Sequence, residues 1–149
     1  MEQSVVLKRA SLKDTRKFFF WFNNSTSIKN KIKTKKKILF LNHLKWFRCS
    51  LSKKETFIWI ICYRSERVGQ IRLEKKNSRN LEVDIFIDDS YRKKGIAVCA
   101  LKKAEQYFKN ITLNSLVKRR NKASIILFKK AEYKILYCNQ MLVKLIKKI

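Results

Sequence analysis

The segment Asp88-Asp89-Ser90-Tyr91-Arg92-Lys93-Lys94-Gly95-Ile96-Ala97 sets three consecutive cations and a glycine between an alternating apolar run and an amphipathic one. A strand, a basic turn and a helix N-terminus in that order are suited to holding phosphate. The unpaired amides and the positive helix end point at the anion, and glycine lets the backbone come close. The chain has two glycines and no proline, which makes each glycine informative. Gly95 would equally serve a tight turn before a helix with no ligand at all. The spacing is neither a Walker loop nor a Rossmann fingerprint. Just upstream, Glu82 and Asp84 share one face of the preceding strand and are two of only 11 acids. Carboxylates placed this way can take protons from a substrate, or can simply be solvated partners of nearby lysines.

The elements that must position these groups are read from periodicity. Val5 to Leu7 predict a short strand, and the Ser11/Asp14 capping box predicts a helix through Lys17 to about Phe22, broken by Asn23-Asn24-Ser25-Thr26. A lysine-rich loop (Lys29, Lys31, Lys33, Lys35, Lys36, Lys37) leads to a second helix over about Lys36 to Leu51. Thr56 to Tyr63 reads as a buried strand, Arg64 to Arg67 as a turn and Val68 to Leu73 as its hairpin partner, with a further turn at Lys76 to Asn80. Leu81 to Ile87 alternates cleanly, with Leu81, Val83, Ile85 and Ile87 on one side and Glu82, Asp84 and Phe86 on the other. A helix over Ile96 to about Phe108, a strand at Leu113 to Val117, a helix over Asn121 to Lys130 and strands at Tyr133 to Tyr137 and Met141 to Leu145 complete the order. Residues 1–149 therefore read as one α/β (α+β) domain with about four helices on a mixed, mostly antiparallel central sheet.

Composition narrows the class. With 46% hydrophobic and 12% aromatic residues in 149 positions, the chain can fill a core, and disorder throughout is excluded. Its 37 lysines and arginines against 11 acids give +26. Such charge favours any polyphosphate by counterion release, but the lysines are spread over the whole chain and no zinc-finger, RRM or helix-turn-helix pattern accompanies them. Compositional bias is the preferred reading, and non-specific binding to nucleic acid or an anionic surface follows under either. Cys49, Cys62, Cys99 and Cys138 contain no close pair, and one histidine cannot complete a typical zinc site, so no metal is expected. No apolar run is long enough for a membrane span, and Met1-Glu2-Gln3-Ser4 does not open a signal peptide, so a reduced, cytoplasmic domain is expected, with monomer and homodimer both open.

Arg92-x-x-Gly95-x-Ala97 resembles the R/Q-x-x-G-x-G/A acetyl-CoA loop of the GNAT superfamily of N-acetyltransferases. The strand Glu82 to Asp88 runs into it as such strands do. Asn121-Lys122-Ala123-Ser124-Ile125-Ile126-Leu127-Phe128-Lys129-Lys130-Ala131-Glu132-Tyr133 is similar to the family's second motif, N-x-x-S-x-x-L-[YF]-x-K-x-G-F. The resemblance covers nearly the whole chain and implies a GNAT fold in which two strands, one ending at Ile87 and one at Leu113, splay apart. Pantetheine would lie in that gap, bonded to backbone near Phe86 and Ile87. Amides from Lys93 and Lys94 through Gly95 and Ile96 to Ala97 would hold the pyrophosphate beside Arg92. Asn121, Phe128 and Lys130 would contact acetyl-CoA from the second motif. Two departures stand out: Glu132 occupies the usual glycine, and Phe128 replaces the commoner tyrosine, which can give a proton to the CoA thiolate where phenylalanine cannot.

Acetyl transfer needs a neutral amine, and Glu82 sits where several members of this family place their base, with Asp84 as the second candidate. Tyr133, Tyr137 or water could protonate the thiolate. His43-x-x-Trp46-Phe47, preceded by Trp21-Phe22-Asn23-Asn24, looks like the subgroup resembling sugar-nucleotide 4-amino N-acetyltransferases of pseudaminic-acid-type pathways. Phe22 and Asn42 there replace an arginine and a glutamate. That resemblance implies a nucleotide-linked amino sugar, on which the face of Trp46 can stack while Asn23, His43 and Arg72 can bond hydroxyls or phosphate. Acetylation of ribosomal-protein N-termini is the alternative, because those enzymes share parts of the same pattern. A basic nucleic-acid-binding module with an accidental glycine turn is the competing class.

Overall fold

The computed structural model describes residues 4–33 and 36–149. Lys35 of the lysine-rich stretch, and Met1 to Gln3, lie outside these described residues. Seven strands form one sheet: β1 (Val5–Arg9), β2 (Thr56–Tyr63), β3 (Glu66–Asn77), β4 (Asn80–Ile87), β5 (Thr112–Lys118), β6 (Lys134–Cys138) and β7 (Leu142–Lys148). Their order across it is β1-β2-β3-β4-β5-β7-β6, and every neighbouring pair is antiparallel except β4 with β5. The mixed, mostly antiparallel sheet is as the sequence predicts. Among the described residues five helices accompany it: α1 (Thr15–Asn23), α2 (Ser25–Asn30), α3 (Phe40–Ser52), α4 (Ile96–Glu105) and α5 (Lys122–Lys130).

Two apolar cores follow from the two-sided burial of β2. Trp59, Ile61 and Tyr63 meet Ala100, Leu101 and Ala104 of α4, and Phe128 of α5, in the larger core. Ile58, Ile60 and Cys62 meet Phe18 and Trp21 of α1 and Phe47 of α3 in the smaller one. A strand buried on both sides reads as a continuous apolar run, as Phe57 to Tyr63 does. On β4 the alternation resolves as expected, with Leu81, Val83 and Ile87 in the larger core and Glu82, Asp84 and Phe86 turned toward the α1–α3 side. The buried Asp14 carboxylate accepts the Ser11 backbone N–H at 2.8 Å and pairs with Arg67 at 2.9 Å. It thereby fixes both the entry to α1 and the β2–β3 turn.

Helix boundaries differ from the periodicity reading for local reasons. The expected break after α1 reduces to Asn24, whose backbone leaves the helical region and whose side chain accepts the Thr26 N–H at 2.9 Å, starting α2. The next helix begins at Phe40 rather than Lys36. The Asn23 amide donates to the Ile38 carbonyl at 2.9 Å and accepts the Ile38 N–H at 2.7 Å, holding the approach extended.

The chain returns from α5 to β6 through Glu132, whose φ is +71°. An L-residue there is strained by about 1–2 kcal/mol, which glycine avoids. The Glu132–Lys147 contact at 3.4 Å is on the exposed side of the pair and contributes little. Glu132→Gly is therefore expected to stabilise the fold by about 1 kcal/mol in urea denaturation. A loss of stability would show that the left-handed turn is not strained.

Candidate active site

The parallel β4–β5 ladder lasts for only three pairs, Asn80↔Thr112, Leu81↔Leu113 and Glu82↔Asn114. The buried Asn114 amide donates to the Leu81 carbonyl at 3.0 Å at the parting point. Beyond it β4 continues to Ile87 while β5 follows β7, so the two strands open into a V. β3 follows β4 to its end, where the Val68 carbonyl receives the Asp88 N–H at 2.8 Å one pair beyond Gly69↔Ile87, while a bulge at Val68 interrupts the pairing with β2. Gly69 permits this approach, because a Cβ there would collide with the Phe86 carbonyl.

At the open end of the V the chain forms the turn into α4. Asp88 caps a short 3-10 turn by accepting the Ser90 N–H, and Lys93 (φ +59°) and Gly95 (φ +75°) then both take left-handed backbone angles. The first bond inside α4 runs from Cys99 N–H to the Gly95 carbonyl at 3.2 Å, so the Ile96, Ala97 and Val98 amides precede the helix's own bonding. A Cβ built on Gly95 meets nothing within 4 Å. The glycine is needed for its backbone angle and leaves open space in front of the helix end. Lys93 and Lys94 are exposed beside it, and a pyrophosphate fits this cradle in charge, donors and room. Arg92 is partly committed elsewhere: its Nε donates to the Ile87 carbonyl at 2.9 Å, its guanidinium pairs with Asp89 at 2.8 Å and it lies over the Phe86 ring.

The second-motif residues disperse. Asn121 caps α5 by accepting the Ser124 N–H at 3.2 Å. Phe128 is buried against Tyr133 at 5.0 Å between ring centres, while Lys130 is exposed at the far end of the helix. Tyr133 itself is buried beside Glu105, at the end of α4 opposite the glycine turn. Burial, together with the Glu105 carboxylate, pushes its hydroxyl well above the ordinary tyrosine range. It stays protonated, but among core side chains rather than on the open face where a thiolate would need it. Tyr137 lies on β6, with its hydroxyl accepting from the Asn139 amide at 2.6 Å.

On the α1–α3 side of the V, cross-strand pairs line up Glu74 with Glu82, Arg72 with Asp84 and Gln70 with Phe86. The buried Gln70 donates to an Asp84 oxygen at 2.9 Å. Glu82 is half-exposed, 3.7 Å from the Lys76 ammonium. For Glu74, burial opposes ionisation, but Lys76 and Arg72 outweigh it and hold its carboxyl below the usual range. The Arg72 guanidinium lies 5.2 Å from the Trp46 ring centre. Lys31 reaches into this space, donating to the Phe22 carbonyl at 2.7 Å. Burial lowers its pKa, with Arg72 adding to that effect and Asp84 opposing it. The Lys29 carbonyl accepts from Lys118 at 2.8 Å and from Arg120 at 2.9 Å, so the C-terminal turn of α2 straps this side of the V to the end of β5.

Asn23 and His43 both bond within the protein. Asn23 spends both amide atoms on Ile38. His43 is 1% exposed, its Nε2 lies 2.9 Å from the Thr15 carbonyl and its ring stacks on Phe47. Burial is the main reason its pKa falls, with Lys31 contributing and the Thr15 bond opposing. Both residues fasten α3 to α1, which in turn places Trp46 beside Arg72. Lys31 and Gln70 are the polar residues that sequence reasoning passed over. Gln70 was visible only through strand alternation, and Lys31 was one lysine in a run of many.

The fold, with its splayed β4 and β5 and the glycine turn before α4, defines a class, and the chain matches the acetyltransferase (GNAT) domain model over residues 4–134. It belongs to that family and is an acetyl-CoA-dependent N-acetyltransferase. Among curated proteins no sequence matches it significantly. Similar solved structures include a spermidine N-acetyltransferase from Vibrio cholerae in complex with CoA and spermine, at TM-score 0.84 and 15% identity over 97% of this chain and 95% of that one. The microcin C7 self-immunity acetyltransferase MccE, in complex with acetyl-CoA and AMP, aligns at 0.82 and 14% over 98% and 93%. The aminoglycoside acetyltransferase AAC(6')-Ib, in complex with coenzyme A, aligns at 0.80 and 12% over 97% and 95%. At these identities the likeness is one of fold. Among the described residues no helix is long and apolar enough to cross a membrane, and no cluster of three or more metal-ligating side chains occurs.

Proposed function

We propose that this enzyme acetylates the primary amine of a nucleotide-linked amino sugar, the 4-amino group of a UDP-sugar being the best fit. The observation that carries this reading is the Arg72 guanidinium against the half-exposed Trp46, opposite Asp84 and one pair along from Glu82. An aromatic face suits a sugar or uracil, an arginine suits phosphate, and the carboxylates suit an ammonium awaiting deprotonation. Lys31 adds a cation to the same space. Polycationic acceptors such as the spermine bound by the Vibrio neighbour would face Lys31, Arg72 and Lys76 on a chain of charge +26. A nucleotide diphosphate would be drawn in by them. The AMP in the MccE complex is consistent with a nucleotide beside this fold.

In the proposed mechanism Lys93, Lys94, Gly95, Ile96 and Ala97 hold the pyrophosphate of acetyl-CoA, which when bound supplies an acetyl group activated as a thioester. The Glu82 carboxylate takes one proton from the acceptor ammonium, leaving the nitrogen lone pair free to attack the carbonyl carbon. Asp84 is the second candidate for this role. As the C–S bond of the resulting adduct breaks, the nitrogen gives up its second proton through water to the departing thiolate, because Phe128 has no hydroxyl and that of Tyr133 is buried.

Steady-state kinetics with a UDP-linked amino sugar test the acceptor site. Arg72→Ala and Trp46→Ala are each expected to raise KM about tenfold while acetyl-CoA affinity holds, the scale of one charge-assisted or stacking contact. An unchanged KM in both variants would remove the sugar nucleotide from this face.

A further inference from the structure

The helices over the acceptor side carry an unusual charge distribution. Residues 15–54 contain twelve lysines and arginines and no aspartate or glutamate, so all 11 acids lie outside this stretch. The same layer exposes large apolar side chains: Phe20 is 68% exposed, Leu39 73% and Leu41 69%. They belong to one surface. The Phe19 ring touches both Phe20, at 5.9 Å, and Phe40, at 5.3 Å, and Arg16 lies over the Phe40 ring. Phe40 is flanked in sequence by Leu39 and Leu41, and along α3 Leu41 and Leu44 share a shallow groove with Lys45 and Arg48.

We propose that this face docks the enzyme on an anionic phospholipid bilayer. Phe20, Leu39 and Leu41 enter the interfacial layer, while Arg16, Lys45 and Arg48 meet lipid phosphates. Cations alone would serve any polyphosphate, and compositional bias alone would explain the lysines. Neither accounts for leucines presented to water in the longest stretch without acids. Leucine has no ring on which a base could stack, so Leu39 and Leu41 do not suit single-stranded RNA. A bilayer interface takes apolar tips and a basic surround together, and stable attachment there needs both contributions. With no carboxylate on the three helices, nothing on them repels a lipid phosphate.

Co-sedimentation of the full chain with phosphatidylglycerol/phosphatidylcholine vesicles, and with phosphatidylcholine alone, tests the proposal. Binding is expected only to the anionic vesicles. The triple variant Phe20→Ser, Leu39→Ser, Leu41→Ser should lose about tenfold or more of that partitioning, with its melting temperature and acetyl-CoA binding unchanged. Lys45→Glu with Arg48→Glu should lose a similar amount, and decides the matter if the triple variant is poorly folded. Ile135→Ser with Leu136→Ser, exposed apolar positions on β6, should bind as the parent does. Vesicle binding by the folded triple variant equal to that of the parent would overturn the proposal. So would a triple variant that loses short-RNA binding while keeping vesicle binding.

Discussion

Replacing Glu82 by glutamine is expected to lower turnover at neutral pH by about a hundredfold or more, the scale for loss of a positioned general base. The half-exposed carboxylate stands at the last β4–β5 pair before the strands part, and Lys76 at 3.7 Å is its only charged neighbour in ion-pair range among the described residues. Glutamine keeps the shape and hydrogen-bonding reach of the side chain but cannot accept the proton. The defect should therefore shrink as pH rises toward the acceptor amine's own pKa, where solvent already supplies the neutral amine. Acetyl-CoA affinity should barely change. A pH–rate profile with no change at neutral pH would move the role to Asp84, which Gln70 already holds by one oxygen, or to water.

Gly95→Asp should weaken acetyl-CoA binding by about a hundredfold or more, because it sets a charge in the cradle. The left-handed angle, φ +75°, is one that aspartate and asparagine tolerate better than other L-residues. A carboxylate at the mouth of the cradle repels the phosphates, and like charges in contact at a binding site cost several kcal/mol. Gly95→Asn isolates that charge, since asparagine matches aspartate in shape and in tolerance of the angle. Calorimetric titration should find Gly95→Asn close to the parent and Gly95→Asp nearly unable to bind. Equal affinity of Gly95→Asp and the parent would mean that the anion does not sit at this turn.

The parts of the site legible in the sequence were those specified by neighbouring residues. Alternation alone separates Glu82, Asp84 and Phe86 from Leu81, Val83 and Ile87, and the turn before α4 carries its own glycine and cations. The GNAT order of elements was legible for the same reason, since strand and helix periods change at local signals. What failed to show were partners brought from a distance. Asn23 and His43 lie among aromatics and resemble ligand-binding residues, yet their bonds go to Ile38, 15 residues away, and to Thr15, 28 residues away. Tyr133 stands in the second motif, but the groups around it, Glu105 and Lys147, come from the end of α4 and from β7. Lys31 was hidden because a lysine in a lysine-rich run carries no signal of its own until the fold sets it beside Arg72 and Asp84.

The acceptor assignment is tested most directly by measuring kcat/KM for acetyl transfer to a UDP-linked amino sugar beside spermidine, an aminoglycoside and the N-terminal peptide of a ribosomal protein, under one set of conditions. The sugar nucleotide is expected to exceed each of the others by about tenfold or more, because Lys31 and Arg72 meet its phosphates and Trp46 offers its ring a stacking face. Acetylation of the peptide or of either polyamine, with no turnover of the sugar nucleotide, would contradict the assignment.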